Sequence, residues 1–343
     1  MNSFAWASPT TLAQALELRS VTVAAGMLSG DGRPPLAAAV LKAGGIDVLG
    51  LMKDGLLIPA RIVNLRTVAE LGGIAQRPDG TLAIGANVTL AELAGSDRVR
   101  ASYRALADAA GRSASPQLRE VATIGGNLLQ RPRCWYFRSL HHHCLRKGGS
   151  TCFAFAGENQ HHALFAHHGC AIVHPSTPAT ALVAFGAKLE LVRAGGATRF
   201  VPLESFLILP ERDPHRENDL RDGEILTTVV LPQPDAGVRS AHLRLGETES
   251  FDWPLADVAV VLDLDADRTC RRASVVLGAA APVPYRARGA ESALVGERIS
   301  EDSARRAARA AIAGAAPLGE NAHKVPIFET LVRRTILQAA RPT

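Results

Sequence analysis

The sequence predicts an α+β fold in two units, a larger one over residues 1–235 and a smaller one over 236–343. Three observations carry this. Short strand-like apolar runs are mixed with short helical patterns instead of alternating with long ones. A long aperiodic stretch rich in Cys and His interrupts the first unit. A polar, Pro-containing stretch from Pro232 to Val238 reads as a linker, after which strand and helix patterns begin again. With 343 residues and 47% hydrophobic content, the chain is long enough to bury a sizeable core in two units of ordinary size.

Taken in order, Thr11 to Ser20 has the pattern of a short helix and Val21 to Ala25 that of a strand. A Gly- and Pro-containing excursion, Gly26 to Pro35, follows. Arg61 to Leu65 and Thr81 to Ala86 read as strands, being apolar, partly β-branched and bounded by turn residues. From Cys134 to Cys170 no period survives, and the segment reads as a long loop held by something other than its own core. Ala181 to Phe185 and Lys188 to Val192 resume regular structure, and Glu224 to Pro232 follows a polar segment, Leu209 to Gly223. In the smaller unit Val258 to Leu264 and Ala273 to Leu277 read as neighbouring strands. Ser300 to Gly314 and Ile327 to Ala340 read as helices, and no internal repeat is visible.

Several function classes are excluded or disfavoured. Apolar stretches are broken by Gly, Pro or charge before the roughly 18 residues that a spanning helix needs, so no membrane span is expected. The start, Met1 to Trp6, lacks the pattern of an export signal, which gives the expectation of a cytoplasmic protein, or a periplasmic one if it leaves with a signal-bearing partner. A formal charge of +5 is small for this length and its basic residues are scattered, apart from Arg305, Arg306 and Arg309 on one helical face; nucleic acid is not an expected partner.

Two glycine segments are candidates for chemistry. In the first, Lys42 to Gly50, a Gly-Gly pair separates an apolar strand from a helical pattern, where bare backbone N–H groups can face a phosphate, although in a chain with 30 glycines such a pair is more often an ordinary turn. In the second, Ala122 to Leu128, a hydroxyl (Thr123), two glycines (Gly125, Gly126) and an amide (Asn127) fall within five residues, enough for a concave hydrogen-bonding surface. The dinucleotide fingerprint of the Rossmann fold is absent, so NAD is not expected by that route. No nucleophile, base and orienting carboxylate stand in a recognisable order, and no catalytic residue is assigned.

Cys134, Cys144, Cys152 and Cys170 lie in the aperiodic segment with spacing Cys-x9-Cys-x7-Cys-x17-Cys, and Cys270 lies apart. Clustered cysteines without an export signal suggest metal more readily than disulfides. The spacing is neither a zinc-finger nor a ferredoxin pattern, so zinc, an iron–sulfur cluster and free thiols all remain open on spacing. His141, His142, His143, His161, His162, His167 and His168 are the argument for zinc.

Ala43-Gly44-Gly45, followed by Ser115-Pro116-Gln117-Leu118-Arg119 and Ala122-Thr123-Ile124-Gly125-Gly126-Asn127-Leu128, resembles the FAD-binding subunits of molybdenum hydroxylases of the xanthine dehydrogenase class. The resemblance covers nearly the whole chain. It implies an FAD-binding domain of the PCMH or vanillyl-alcohol-oxidase type, followed by a domain like the C-terminal one of carbon monoxide dehydrogenase flavoproteins. Lys42, Ala43, Gly44, Gly45, Ile46, Asp47, Val48, Leu49 and Gly50, with Thr123, Gly125, Gly126 and Asn127, then fall where such subunits hold the pyrophosphate and ribityl chain of FAD; Ser115 and Arg244 join them as cofactor-binding candidates.

The run Asn127 to Arg138, then Gly157-Glu158-Asn159 and Cys170 to Ser176, is similar to the flavin subunit of bacterial periplasmic aldehyde oxidoreductases. This implies a 4Fe–4S cluster on Cys134, Cys144, Cys152 and Cys170 in an insertion over 131–172, the histidines being mostly a solvated loop and Cys270 a structural thiol. It also implies a heterotrimer in which a large molybdopterin subunit oxidises substrate, a small 2Fe–2S subunit passes electrons on, and this chain delivers them to an external acceptor. Two departures stand out. Thr177 replaces an Asp that usually follows the Pro-Ser pair, and Arg244 to Phe251 keeps only the first residue of a basic run, so the flavin's contacts are expected to differ there. The competing readings are a self-contained FAD oxidase and a zinc-binding interaction module.

Overall fold

The computed structural model describes residues 2–18, 20–248 and 252–341, and in it strands and short helices are mixed through the chain as an α+β fold requires. Ala5–Ala7, Arg61–Asn64 and Val40–Lys42 form a small parallel sheet in that spatial order. Ile74–Gln76, Leu82–Gly85, Glu224–Leu231, Lys188–Arg193 and Thr198–Pro202 form an antiparallel sheet. Val238–Leu245, Ala256–Leu264, Cys270–Gly278 and Tyr285–Arg286 form the antiparallel sheet of the smaller unit. Among the described residues no helix is long and apolar enough to cross a membrane.

The strand Ala256–Leu264 is buried along almost its whole length because both of its faces are covered. Successive side chains point to opposite sides of a strand. Val258, Val260 and Leu262 pack with Ala304, Ala307, Phe328 and Val332 of the helices Glu301–Ile312 and Lys324–Ala339. Ala259, with Val276 of the next strand, joins Leu106 and Leu182 in the core of the larger unit. Burial of each such Val, Leu or Phe side chain contributes about 1.5–3 kcal/mol, so the interface between the two units is itself a stabilising core.

The expected strand over Val21 to Ala25 is instead a short helix, Val23–Met27, and only Val21 makes a bridge, to Val40. The β-branched residues favoured a strand, but Thr22 caps the turn by accepting a hydrogen bond from Ala25 N. The second glycine segment is likewise the first turn of a helix, Ile124–Leu128, with Thr123 as its cap. The Cys-rich stretch is mostly irregular, as expected, but it contains a helical turn, Trp135–Arg138, and two 3-10 turns, Leu145–Lys147 and Phe153–Phe155.

The sheets also fix where the two glycine segments stand. The parallel sheet ends at Ala43-Gly44-Gly45, from which the helix Ile46–Lys53 departs. The second glycine segment is tied to the antiparallel sheet, since Gly125 N donates to Ala86 O at 2.9 Å and Ile124 N donates to Val88 O at 2.8 Å. The two sheets therefore present the two glycine segments to each other.

Candidate cofactor site

A cavity of about 410 Å³ opens between the glycine segments. Gly44 lets them meet: a Cβ there would lie 2.3 Å from Val121 O. Gly45 has φ +88°, the left-handed region that glycine adopts without steric cost, and it caps the helix Ile46–Lys53 with no side-chain hydrogen bond. The first-turn N–H groups of that helix have no partners within it, and they carry the positive end of the helix dipole toward the cavity wall. This end of the cavity is built to receive an anion.

Of the residues singled out from sequence, Ala43, Gly44, Gly45, Ile46, Asp47, Val48, Thr123, Gly125, Gly126 and Asn127 line the cavity. Their side chains are partly committed elsewhere. Thr123 Oγ1 accepts from Gly126 N at 3.2 Å, and Asn127 Oδ1 accepts from Ser176 Oγ at 2.5 Å. Asp47 accepts from the backbone N of Arg131 at 2.8 Å and from the guanidinium groups of Arg133 and Arg138 at 2.9 and 2.5 Å. Asp47 thus fastens the first glycine helix to the Cys-rich segment.

Lys42, Leu49, Gly50, Ser115 and Arg244 stand off the cavity wall. Lys42 Nζ donates to Asn64 Oδ1 and lies over the Trp6 ring, and its pKa is lowered by burial and by the Arg66 charge. Ser115 is buried as the cap of the helix Pro116–Arg119. Arg244 donates to the carbonyls of Arg112 and Asp252, bracing the smaller unit against the larger. Glu249, Ser250 and Phe251, the end of the altered basic run, lie outside the described residues. Thr177 begins the buried helix Thr177–Ala184 and is not on the cavity wall; its neighbour Ser176 makes the contact to Asn127.

Sequence reasoning missed the rest of the wall. The segment from Arg216 to Leu226 closes one side, and Asp252 and Trp253 reach in from the smaller unit, with Arg133 stacked over the Trp253 ring at 4.8 Å. Asn87 donates through Nδ2 to Leu65 O, while its buried Oδ1 has no partner among the described residues. Asn87 lines the cavity, and its unpaired oxygen is a buried acceptor beside it. An uncapped helix start, a glycine cradle and an orphaned acceptor together suit a dinucleotide.

Cys134, Cys144, Cys152 and Cys170 line a second, small cavity with Tyr136, Phe153, Arg146 and His162. All four are free thiols, as is Cys270, which is buried and donates to Arg272 O. Burial pushes Cys134 up to about 12 and raises Cys144. Cys152 and Cys170 share a hydrogen bond that raises the first and lowers the second, and the Arg146 charge adds to the lowering of Cys170. Most of the histidines are partly or fully exposed, as expected of a loop. His162 is the exception: it is buried, its Nε2 lies 3.3 Å from Cys134 Sγ, and burial pushes it down to about 4.

Among the described residues no group of three or more His, Cys, Asp or Glu side chains is arranged to hold a metal ion. The lining supplies four thiol sulfurs and the imidazole of His162 and no carboxylate, with the buried Arg146 hydrogen-bonded to Cys170.

Residues 2–234 match the family model described as the FAD binding domain in molybdopterin dehydrogenase, and residues 242–339 match that of the CO dehydrogenase flavoprotein C-terminal domain. The chain is 33% identical to the aldehyde oxidoreductase FAD-binding subunit PaoB of Escherichia coli K12 over 87% of its own length and 90% of the relative's. It is 27% identical to the carbon monoxide dehydrogenase medium chain of Afipia carboxidovorans, over 98% and 96% of the two chains. Among solved structures, a carbon monoxide dehydrogenase from Hydrogenophaga pseudoflava matches with a TM-score of 0.72 and 25% identity, covering 99% of this chain and 97% of that one.

Proposed function

Because the chain belongs to the family of FAD-binding subunits of molybdenum hydroxylases, we propose that it binds FAD in the large cavity and a 4Fe–4S cluster on Cys134, Cys144, Cys152 and Cys170, and that it relays electrons from its partners to an external acceptor. The division at residue 235 separates the FAD-binding unit from the smaller one in this reading. The observation that carries it is the pair of adjoining cavities, one with an anion-ready glycine cradle and one lined by four free cysteines. Bound FAD accepts and releases electrons singly or in pairs, and a cluster transfers them singly; the protein's task is to place and tune both.

The residues divide this work. The first turn of Ile46–Lys53 and the Thr123–Asn127 turn would hold the pyrophosphate end, with Asn87 on the same wall. Asp47 ties the cradle to the cysteine segment through Arg131, Arg133 and Arg138, so that the two sites are held as one rigid frame. The partners in this reading are a small 2Fe–2S subunit and a large molybdopterin subunit.

The test is the purified protein, co-expressed with the genes beside its own. Its visible spectrum should show flavin and a broad iron–sulfur absorption. Acid precipitation should leave the flavin in the supernatant, since no attachment motif is present. A colourless, zinc-containing protein would refute the reading, and turnover of a substrate by the isolated chain would favour a self-contained oxidase.

A further inference from the structure

We propose that Arg131, Glu217 and Arg146 form a buried charged link between the two cavities that sets the redox potentials of both cofactors together. The proposal rests on the cofactor assignment above. Arg131 and Glu217 stand on the wall of the large cavity, and Arg146 stands on the wall of the cysteine cavity. Glu217 joins them: Arg146 Nη1 donates to Oε1 at 2.6 Å, and Arg131 Nε lies 3.3 Å from Oε2. All three side chains are at most 3% exposed.

The charge is unbalanced. Two guanidinium groups share one carboxylate, and guanidinium stays protonated in proteins. The other acid that acts on Arg131, Asp47, is already paired with Arg133 and Arg138. Lys147, near Cys134 and Cys144, adds a further positive group. A buried surplus of this kind is costly unless negative groups face it. Arg131 Nη2 is buried with no hydrogen-bond partner among the described residues, and Arg146 is hydrogen-bonded to Cys170, so each arginine also acts on the side of its own cavity.

A fixed positive charge beside a redox group stabilises the electron-richer state and raises its potential, and the effect is little screened in a buried site. Glu217 opposes that effect on both sides at once, because it lies between the two arginines. The arginines act unequally: Arg131 adjoins the flavin cavity and Arg146 the cysteines. This asymmetry separates an electrostatic role from mere bracing, which would lose cofactor without moving potentials in a charge-dependent order.

The experiment is an anaerobic redox titration of the assembled complex, reading flavin by absorbance and the reduced cluster by electron paramagnetic resonance in the same sample. Glu217→Gln keeps the shape and removes the charge; both midpoint potentials should shift to more positive values, while Glu217→Asp leaves both near wild type. Arg131→Met should shift the flavin negative by more than the cluster, and Arg146→Met the reverse. If Glu217→Gln with full FAD and iron content moves only one potential or neither, or if the two Met variants act alike on both cofactors, the link is overturned. Should Glu217→Gln not fold, Arg131→Lys must retain the flavin potential that Arg131→Met loses, and an equal shift in both refutes the proposal. A wild-type complex with FAD but no iron would overturn the cofactor assignment and this proposal with it, whereas unmoved potentials in a fully loaded complex overturn the link alone.

Discussion

Replacing Gly44 by Ala tests the glycine cradle with a single methyl group. The added Cβ would lie 2.3 Å from Val121 O, 3.0 Å from Val121 C and 3.1 Å from Ala122 Cα. All three obstacles are backbone atoms, so no rotamer change relieves the clash, and the two segments must part by about 1 Å to restore ordinary contact. Overpacking of this kind costs about 1–3 kcal/mol, and if it falls mainly on the closed cradle, FAD binding weakens about 10- to 100-fold. Gly50→Ala is the matched control. It lies in the adjoining helix, its Cβ would meet only Arg138 Nη1 at 4.0 Å, and Ala favours a helix over Gly by about 0.5–1 kcal/mol. That variant should keep wild-type affinity and melt slightly higher. Titration of FAD into deflavinated protein, read by flavin fluorescence, measures both. Wild-type affinity in Gly44→Ala, or an equal loss in Gly50→Ala, would show that the cradle does not work through this contact.

Two further outcomes are expected. Single Cys→Ser changes at positions 134, 144, 152 and 170 should each abolish bound iron and labile sulfide, and should lower FAD occupancy as well, because the Arg131 N to Asp47 bond couples the segments; Cys270→Ser should leave both cofactors in place, and iron retained in all four loop variants contradicts the assignment. His174 is buried with Nε2 unpartnered among the described residues, and burial pushes it down to about 4, so between that value and the unfolded value near 6.5 the unfolded chain binds a proton the folded one refuses. Its contribution is therefore intact above pH 6.5 and falls by about 2 kcal/mol by pH 5. Urea denaturation of wild type and His174→Gln at the two pH values should show the difference between them change by that amount, and a constant difference would exclude His174 as the cause.

Local signals made much of this protein legible before its structure. The strands Ala256–Leu264 and Cys270–Gly278 and the helices Glu301–Ile312 and Lys324–Ala339 carry clear apolar periods, and all four stand where their periods put them. The two glycine segments were visible because bare backbone leaves a compositional mark, and the four cysteines because their residue type is chemically distinctive. The strand expected at Val21 failed because one capping threonine outweighed β-branched propensity over so short a run. Asp47 read as a cofactor contact, yet its carboxylate is taken by three donors from 84 to 91 positions further along the chain.

By itself, then, the sequence determined the α+β class, the glycine cradle and the cysteine set, because each depends on neighbours within a few residues along the chain. Only the tertiary structure decided which residues close the cavity, that His162 reaches Cys134, and that Arg131 and Arg146 share Glu217, 71 positions from Arg146. Buried charge pairing has no period and leaves no compositional trace. It arises where chain reversals bring distant side chains out of water together, and there an ion must find whichever opposite charge the fold has placed within reach.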